Sequence, residues 1–318
     1  PKLLSGLLCK VFSIDGTMLK EPSPEAIKSL RELTRLLKKL SLSDDQAEQL
    51  DQKAKKNFIS DDASCATSFT AFDDRHLRIL REVSRQVLLR LDDFNPQDIL
   101  CKHGPGAVAE GISANKKWSA LCNHSDLLER HGLDCLYISM YGLHPTKKSF
   151  GLATGGSASC RLVSVPKNST SRRTITIEPV ELQFVQQGYN SLLRNHIRDC
   201  DILSQCLALS DQSANRLLAD SGSRTGYWAT LDLKSASDLL SLTLVKEVFA
   251  SRPRFLDGIL SCRSSVCETG IEETPFLTLK KYAGMGNATT FPIQSVVFAI
   301  IAICSQLDDG LRITRNRI

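Results

Sequence analysis

The sequence predicts an α+β protein whose helices come first and whose few strands come late. Three observations predict it. Apolar residues recur at helical spacing through the first third of the chain. A strand–loop–strand pattern occupies "RLVSVPKNSTSRRTITI". The remainder mixes short apolar runs with helical patterns. With 318 residues, 42% of them hydrophobic and 24% charged, the chain can bury a large core in about two domains or one multi-lobed domain. That composition also excludes a disordered chain.

The helix-rich N-terminal part begins at Ser23 and Pro24, which read as an N-cap and a first helical position. Ile27, Leu30, Leu33, Leu36, Leu37 and Leu40 follow at helical spacing. Ser43 and Gln46 have the spacing of a capping box for a second helix. Residues 74–91 form an amphipathic helix with Leu77, Leu80, Val83, Val87 and Leu91 on one side. His76 on its first turn reads as a solvated surface residue. Residues 95–177 are loop-rich and carry "HGPG" at 103–106 and "GLATGG" at 151–156, glycines that make turns or permit close backbone approach. Helix returns over 178–199. A strand is expected over 226–233 and a helix over 237–250, with Leu239, Leu240, Leu242, Leu244 and Val245 mostly buried. A short strand follows at 276–280, then the loop "AGMGNATTFP" and an apolar helix over 293–304. The three regions expected are helical over 1–95, loop-rich and basic over 96–225, and mixed over 226–318.

Net charge is +5, too small to name a partner. Its distribution says more. Residues 135–177 contain no Asp or Glu but hold Lys147, Lys148, Arg161, Lys167, Arg172 and Arg173. This is either a solvated basic face or a phosphate-binding surface. The eleven cysteines lack metal-type spacing, which argues against zinc and suits a reducing compartment. The apolar run after Pro292 is interrupted by Gln294 and Ser295 and reads as too short to span a membrane, so no membrane partner is expected.

Three stretches carry chemistry. In "LDLKSASD" two aspartates, Asp232 and Asp238, stand six positions apart with small residues and one lysine between them. A carboxylate ending an apolar strand is costly unless a cation or donors compensate it, and oxygen ligands of this type suit Mg²⁺. Asp238 also fits a plain helix start, where the dipole favours an acid. In "VPKNSTSRR", Lys167, Arg172 and Arg173 could neutralise a triphosphate or sit on a solvated hairpin tip. In "MGNATTFPIQS", Gly286, Asn287, Thr289 and Thr290 open an apolar helix. Such a loop can grip phosphate, sugar or base, or serve only as a glycine turn capped by Thr290.

Together and in this order, these stretches resemble the RNA-directed RNA polymerases of single-stranded RNA bacteriophages, the levivirus-type replicase catalytic (beta) subunit. "VPKNSTSRRTITIEP" looks like its basic fingers motif, "LDLKSASDLLS" its palm motif, and "MGNATTFPIQS" its glycine-loop-and-helix motif; "HGPGAVAEG" looks like a further fingers stretch. The resemblance runs over residues 100–300. It implies a right-hand polymerase fold: fingers over 96–225 with a basic NTP-binding loop, a partial palm over 226–318, and no thumb in this chain. It implies template-directed RNA synthesis from NTPs by two-Mg²⁺ nucleotidyl transfer, with Asp232 binding the metals. Lys167, Arg172 and Arg173 would hold the triphosphate, Arg173 foremost. Asp238 and Asn287 would sit by the ribose, and Gly286, Thr289 and Thr290 would shape the loop under template and nascent pair. Ser235, Ala236 and Ser237 would let the chain turn closely beneath the triphosphate. The partners implied are RNA template and product, NTPs and host proteins of a replicase complex, in the cytoplasm of an infected bacterial host.

The family's next motif, a hairpin carrying Gly-Asp-Asp, has no counterpart after Ser295. Asp308 and Asp309 read as a helix-terminal turn, and "LRITR" at 311–315 as the approach to that hairpin. The expectation is a fragment of a longer replicase that is inactive alone. The rival readings are a reverse-transcriptase-like palm polymerase and a non-catalytic RNA-binding protein on a decayed palm.

Overall fold

The computed structural model describes residues 4–36, 42–67, 72–120, 127, 131 and 159–308. The expected features at 147–148, 151–156 and 309–315 lie outside them, as do Leu37 and Leu40. The chain divides into two compact units: residues 1–54 with 164–173, and residues 55–163 with 174–318.

In the smaller unit, α1 (Ser5–Leu8) and α2 (Pro24–Leu36) surround a small core of Val11, Ala26 and Leu30. Ser23 caps α2 as its position predicts, its Oγ accepting from the Ala26 N–H at 3.3 Å. Leu33 and Leu36 are exposed. The tip of a β-hairpin, residues 164–173, belongs to this unit. Its two-residue turn is set by Asn168, whose Oδ1 accepts from the Thr170 N–H at 3.0 Å and the Ser171 hydroxyl at 2.7 Å.

The larger unit holds the main core. α3 (Asp44–Cys65) begins in the smaller unit, where Ser43 accepts from the Gln46 N–H, and its part from Lys55 on, in the larger unit, buries Phe58, Asp62 and Cys65. α4 (Asp74–Val87) is capped by Asp73, which accepts from the His76 N–H at 2.8 Å. It buries Leu80, Val83 and Val87, a stripe at helical spacing, while His76 stays on the surface. The hairpin strands β1 (Ser159–Asn168) and β2 (Ser171–Ile177) stand where the alternation predicts them. After β2 come α5 (Val180–Asp199), α6 (Asp201–Cys206) and α7 (Ser213–Thr225). Next are α8 (Leu242–Phe249), α9 (Pro253–Ser261), β3 (Val266–Glu268) and β4 (Phe276–Thr278), and finally α10 (Thr290–Asp308). The sheet order is β2-β1-β3-β4, with β1 parallel and β4 antiparallel to β3. Its buried face brings Cys160, Leu162, Cys267 and Leu279 against Phe58.

α10 packs against α4 and α5 through Ile293, Val296, Val297 and Ile300, all fully buried. It is longer than the sequence suggested. The 18-residue window Thr290–Leu307 is long and apolar enough to cross a membrane by length and composition, and 39% of it is buried inside the molecule. Ser295 does not interrupt it, because its hydroxyl donates to the Phe291 carbonyl at 2.8 Å and the helix continues.

Two expectations fail around the paired aspartates. Residues 227–233 form no strand, and Tyr227, Leu231 and Leu233 are exposed. A strand needs a ladder partner, and none pairs with this segment among the described residues. The helix expected from 237 begins instead at Leu242, because Ser241 is its cap and accepts from the Leu244 N–H at 3.1 Å. Residues 234–239 are a turn, with Ser235 in the left-handed region at φ 53° and Leu239 exposed.

Candidate functional site

The sequence-predicted residues fall into three structural settings. The first is the hairpin tip. Lys167 and Arg173 are exposed there. Arg172 is engaged: its Nη2 donates to the Ser164 carbonyl at 2.9 Å and its Nε to the Ser164 hydroxyl, which in turn donates to Asp51. The Arg172 guanidinium also stands 3.9 Å from Asp51. Its charge is therefore partly spent on shaping the tip, whereas Lys167 and Arg173 present theirs to solvent.

The second setting is the segment from 226 to 241. Asp232 is exposed on irregular chain. Asp238, six residues on, is not at a helix start. Its carboxylate, 14% exposed, accepts from the Lys281 ammonium at 3.1 Å, and the Lys281 side chain is completely buried. Burial pushes the Asp238 carboxyl above the usual carboxylate range; the Lys281 charge opposes that, and Asp61 and Asp62 add to it. Lys281 also donates to the Phe58 carbonyl at 3.3 Å and lies 3.5 Å from the Phe58 ring centroid. Its backbone is fixed from two sides. Buried Asp62 accepts from the Lys280 and Lys281 N–H groups at 3.0 and 2.9 Å. On the other side, residues 240–242 bridge to 280–282, with Leu242 N–H donating to the Lys280 carbonyl and Tyr282 N–H to the Leu240 carbonyl.

The third setting is the loop 284–290. Gly286 has φ 133°, and a Cβ there would lie 1.9 Å from the Thr176 carbonyl oxygen, so only glycine fits. The Thr176 N–H donates to the Met285 carbonyl at 2.7 Å, tying the loop to the end of β2. Buried Gln186 on α5 accepts from the Ala288 N–H at 3.2 Å and donates to the Cys262 carbonyl at 2.7 Å and to Glu178 at 3.2 Å. Burial raises the Glu178 carboxyl, which also accepts from Ser264 at 2.7 Å and from Thr176 at 3.3 Å. Thr290 does not cap α10 by accepting; its hydroxyl donates to the Gly284 carbonyl at 3.0 Å. Asn287 is 5% exposed, and its Oδ1 accepts from the Thr289 N–H at 2.9 Å and the Thr289 hydroxyl at 2.7 Å. Its Nδ2 is buried with no hydrogen-bond partner among the described residues. An orphaned buried donor is costly, and an acceptor brought by a ligand would complete it.

The further stretch "HGPGAVAEG" is held by a residue the sequence did not mark. Buried Lys117 donates to the Gly104 carbonyl at 2.7 Å, to the Gly106 carbonyl, and to Gln183 at 3.2 Å. His103 beside it is pushed down to about 4, by burial first and the Lys117 charge second. Lys281, Tyr282 and Gln186 were missed for the same reason. Nothing in "LKKYAGMG" says which lysine is buried, because the partners Phe58, Asp62 and Asp238 come from distant chain.

The donor set does not by itself make a divalent-cation site. Asp232 is one exposed carboxylate, Asp238 is taken by Lys281, and no three His, Cys, Asp or Glu groups converge among the described residues.

Comparison with known proteins covers the same stretch. The family model described as RNA replicase, beta-chain, matches residues 149–310. The chain is 38% identical over 150 residues to the RNA-directed RNA polymerase subunit beta of Enterobacteria phage SP, covering 46% of this chain and 24% of that protein. It is 35% identical over 150 residues to the subunit of the same name from Escherichia virus Qbeta, with the same coverage. It is 32% identical over 152 residues to the RNA-directed RNA polymerase beta chain of Escherichia phage MS2, covering 46% of this chain and 25% of that one. The match thus spans about a quarter of the length of these relatives. All three aspartate, basic and glycine-loop motifs lie inside the matched residues, and this chain belongs to the RNA replicase beta-chain family.

Proposed function

We propose that this chain is the fingers and part of the palm of a right-hand, template-directed RNA polymerase that replicates a phage RNA genome in the cytoplasm of an infected bacterium. The observation that carries the reading is Asn287: a buried amide whose Nδ2 has no partner among the described residues, in a loop whose backbone admits only glycine at 286. A site built this way has a donor waiting for a ligand oxygen, and a ribose hydroxyl supplies one. Asp238, largely buried and hydrogen-bonded to the Lys281 ammonium, is the second group assigned to the ribose. Gly286, Thr289 and Thr290 give the loop its shape, and Lys167 and Arg173, with Arg172 bracing them, neutralise the triphosphate. Asp232 would supply one carboxylate for Mg²⁺, two ions being expected in the complete enzyme. RNA template and product, NTPs and host proteins of a replicase are the partners this reading implies.

The test is RNA synthesis on an RNA template by the full-length replicase that contains this chain. Asp232→Asn is expected to lower the rate by about 10³-fold or more, the loss of several kcal/mol of metal-borne stabilisation. An Asp232→Asn enzyme that polymerises at the parent rate would remove Asp232 from the chemistry.

A further inference from the structure

We infer that Lys281 and Tyr282, adjacent residues on one short buried segment, are positioning residues that together set the enzyme's choice of sugar. This rests on the assignment of Asp238 and Asn287 to the ribose. Lys281 meets Asp238 directly, its ammonium 3.1 Å from Oδ1. Tyr282 meets Asn287 through one intermediate. The Tyr282 hydroxyl lies 2.8 Å from Thr289 Oγ1, and Thr289 Oγ1 donates to Asn287 Oδ1 at 2.7 Å. The threonine has one hydroxyl proton and spends it on Asn287, so Tyr282 is the donor to the threonine. This relay and the Thr289 N–H hold the amide oxygen, which leaves Nδ2 as the free end of Asn287. On the other side, Lys281 takes one oxygen of Asp238 and so fixes the direction of the other.

The segment that carries both residues is clamped independently of any ligand. Asp62 accepts its two N–H groups from α3, and Leu240 and Leu242 bridge it from the chain that carries Asp238. Lys281 and Tyr282 are both completely buried. Two sugar-facing groups from sequence positions far apart are therefore referenced to a single rigid piece of backbone. Selectivity for a hydroxyl depends on donor and acceptor being held in place before the sugar arrives, because a misplaced polar group no longer penalises the sugar that lacks it.

The experiment compares single-nucleotide incorporation of ATP and dATP by the full-length replicase on an RNA template, as the ratio of kcat/KM values. Tyr282→Phe removes one oxygen and keeps the ring. The ratio is expected to fall several-fold, mainly through a higher KM for ATP. Lys281→Met is expected to lower it about tenfold or more, the scale of losing a hydrogen bond to a charged group. Lys281→Arg, which keeps the charge, should restore part of that loss. If either variant slows ATP and dATP incorporation by the same factor, the residue is only structural and its half of the inference falls. Should Lys281→Met fail to fold, Tyr282→Phe decides the matter, and an unchanged ratio there overturns the proposal. A parent enzyme that incorporates neither nucleotide contradicts the polymerase reading instead.

Discussion

Two segments that lie close in sequence type differ in everything the fold does with them. Residues 226–233 carry Asp232 on exposed chain that forms no strand pairing among the described residues, with Tyr227, Leu231 and Leu233 in solvent. Residues 280–290 carry Lys281, Tyr282 and Asn287 on chain whose N–H groups are taken by Asp62, Leu240 and Gln186. From sequence the first reads as a strand delivering an aspartate and the second as a short strand running into a glycine loop. The second is tied by hydrogen bonds to distant parts of the chain; the first has local contacts, at Thr225 and Gly222, and no strand partner among the described residues. Strand-like composition is a demand for a partner, and only tertiary structure says whether it is met.

The sharpest way to break this contrast is to add one methyl group to each kind of glycine. Gly286→Ala would put a Cβ 1.9 Å from the Thr176 carbonyl at φ 133°, so loop or strand must move. The expected cost is about 3 kcal/mol or more in denaturant unfolding. Gly226 ends α7 at φ 69° with open space around its Cβ position, and Gly226→Ala should cost only about 1 kcal/mol. Equal costs would mean that the loop 284–290 is no better constrained than a surface turn.

The second comparison is between the carboxylates. Lys281→Met leaves Asp238 in a largely buried site without its cation, a loss of about 3 kcal/mol in unfolding free energy, while Asp62 keeps its backbone N–H partners. Asp232→Asn changes an exposed side chain and should leave the unfolding midpoint in place. The two residues then separate cleanly: Asp232 matters to activity without mattering to stability, and Lys281 matters to both. A destabilised Asp232→Asn would show that the segment is better packed than its exposure indicates.

Much of this was legible in advance because it depends on neighbours in sequence. The Ser23 and Ser43 helix starts, the strand–loop–strand of the hairpin and the apolar helix that becomes α10 are all set within a few residues. The order of the three motifs was likewise readable, since it is a property of the string. What failed depended on distant chain. The strand at 226–233 needed a partner, and Asp238 looked like a helix-start acid because its partner, Lys281, lies 43 residues on. The Lys281 pair joins α3, the turn before α8 and the segment before α10, and no local pattern encodes such a meeting.

The smallest expected effect concerns the turn that joins the two aspartates. Ser235 sits at φ 53°, where a side chain costs about 1 kcal/mol that glycine does not pay. Glycine loses more entropy on folding, so Ser235→Gly should stabilise the chain by only about 0.5 kcal/mol. The sign is the informative part. The Leu239 N–H donates to the Ser235 carbonyl at 2.9 Å, so the left-handed residue starts the turn that brings Asp238 back to Lys281. If Ser235→Gly is stabilising and leaves ATP selection intact, the conformation alone is what the turn requires. If it is destabilising, the serine side chain contributes a contact that holds the turn, and Asp238 is positioned from its N-terminal side as well as by Lys281.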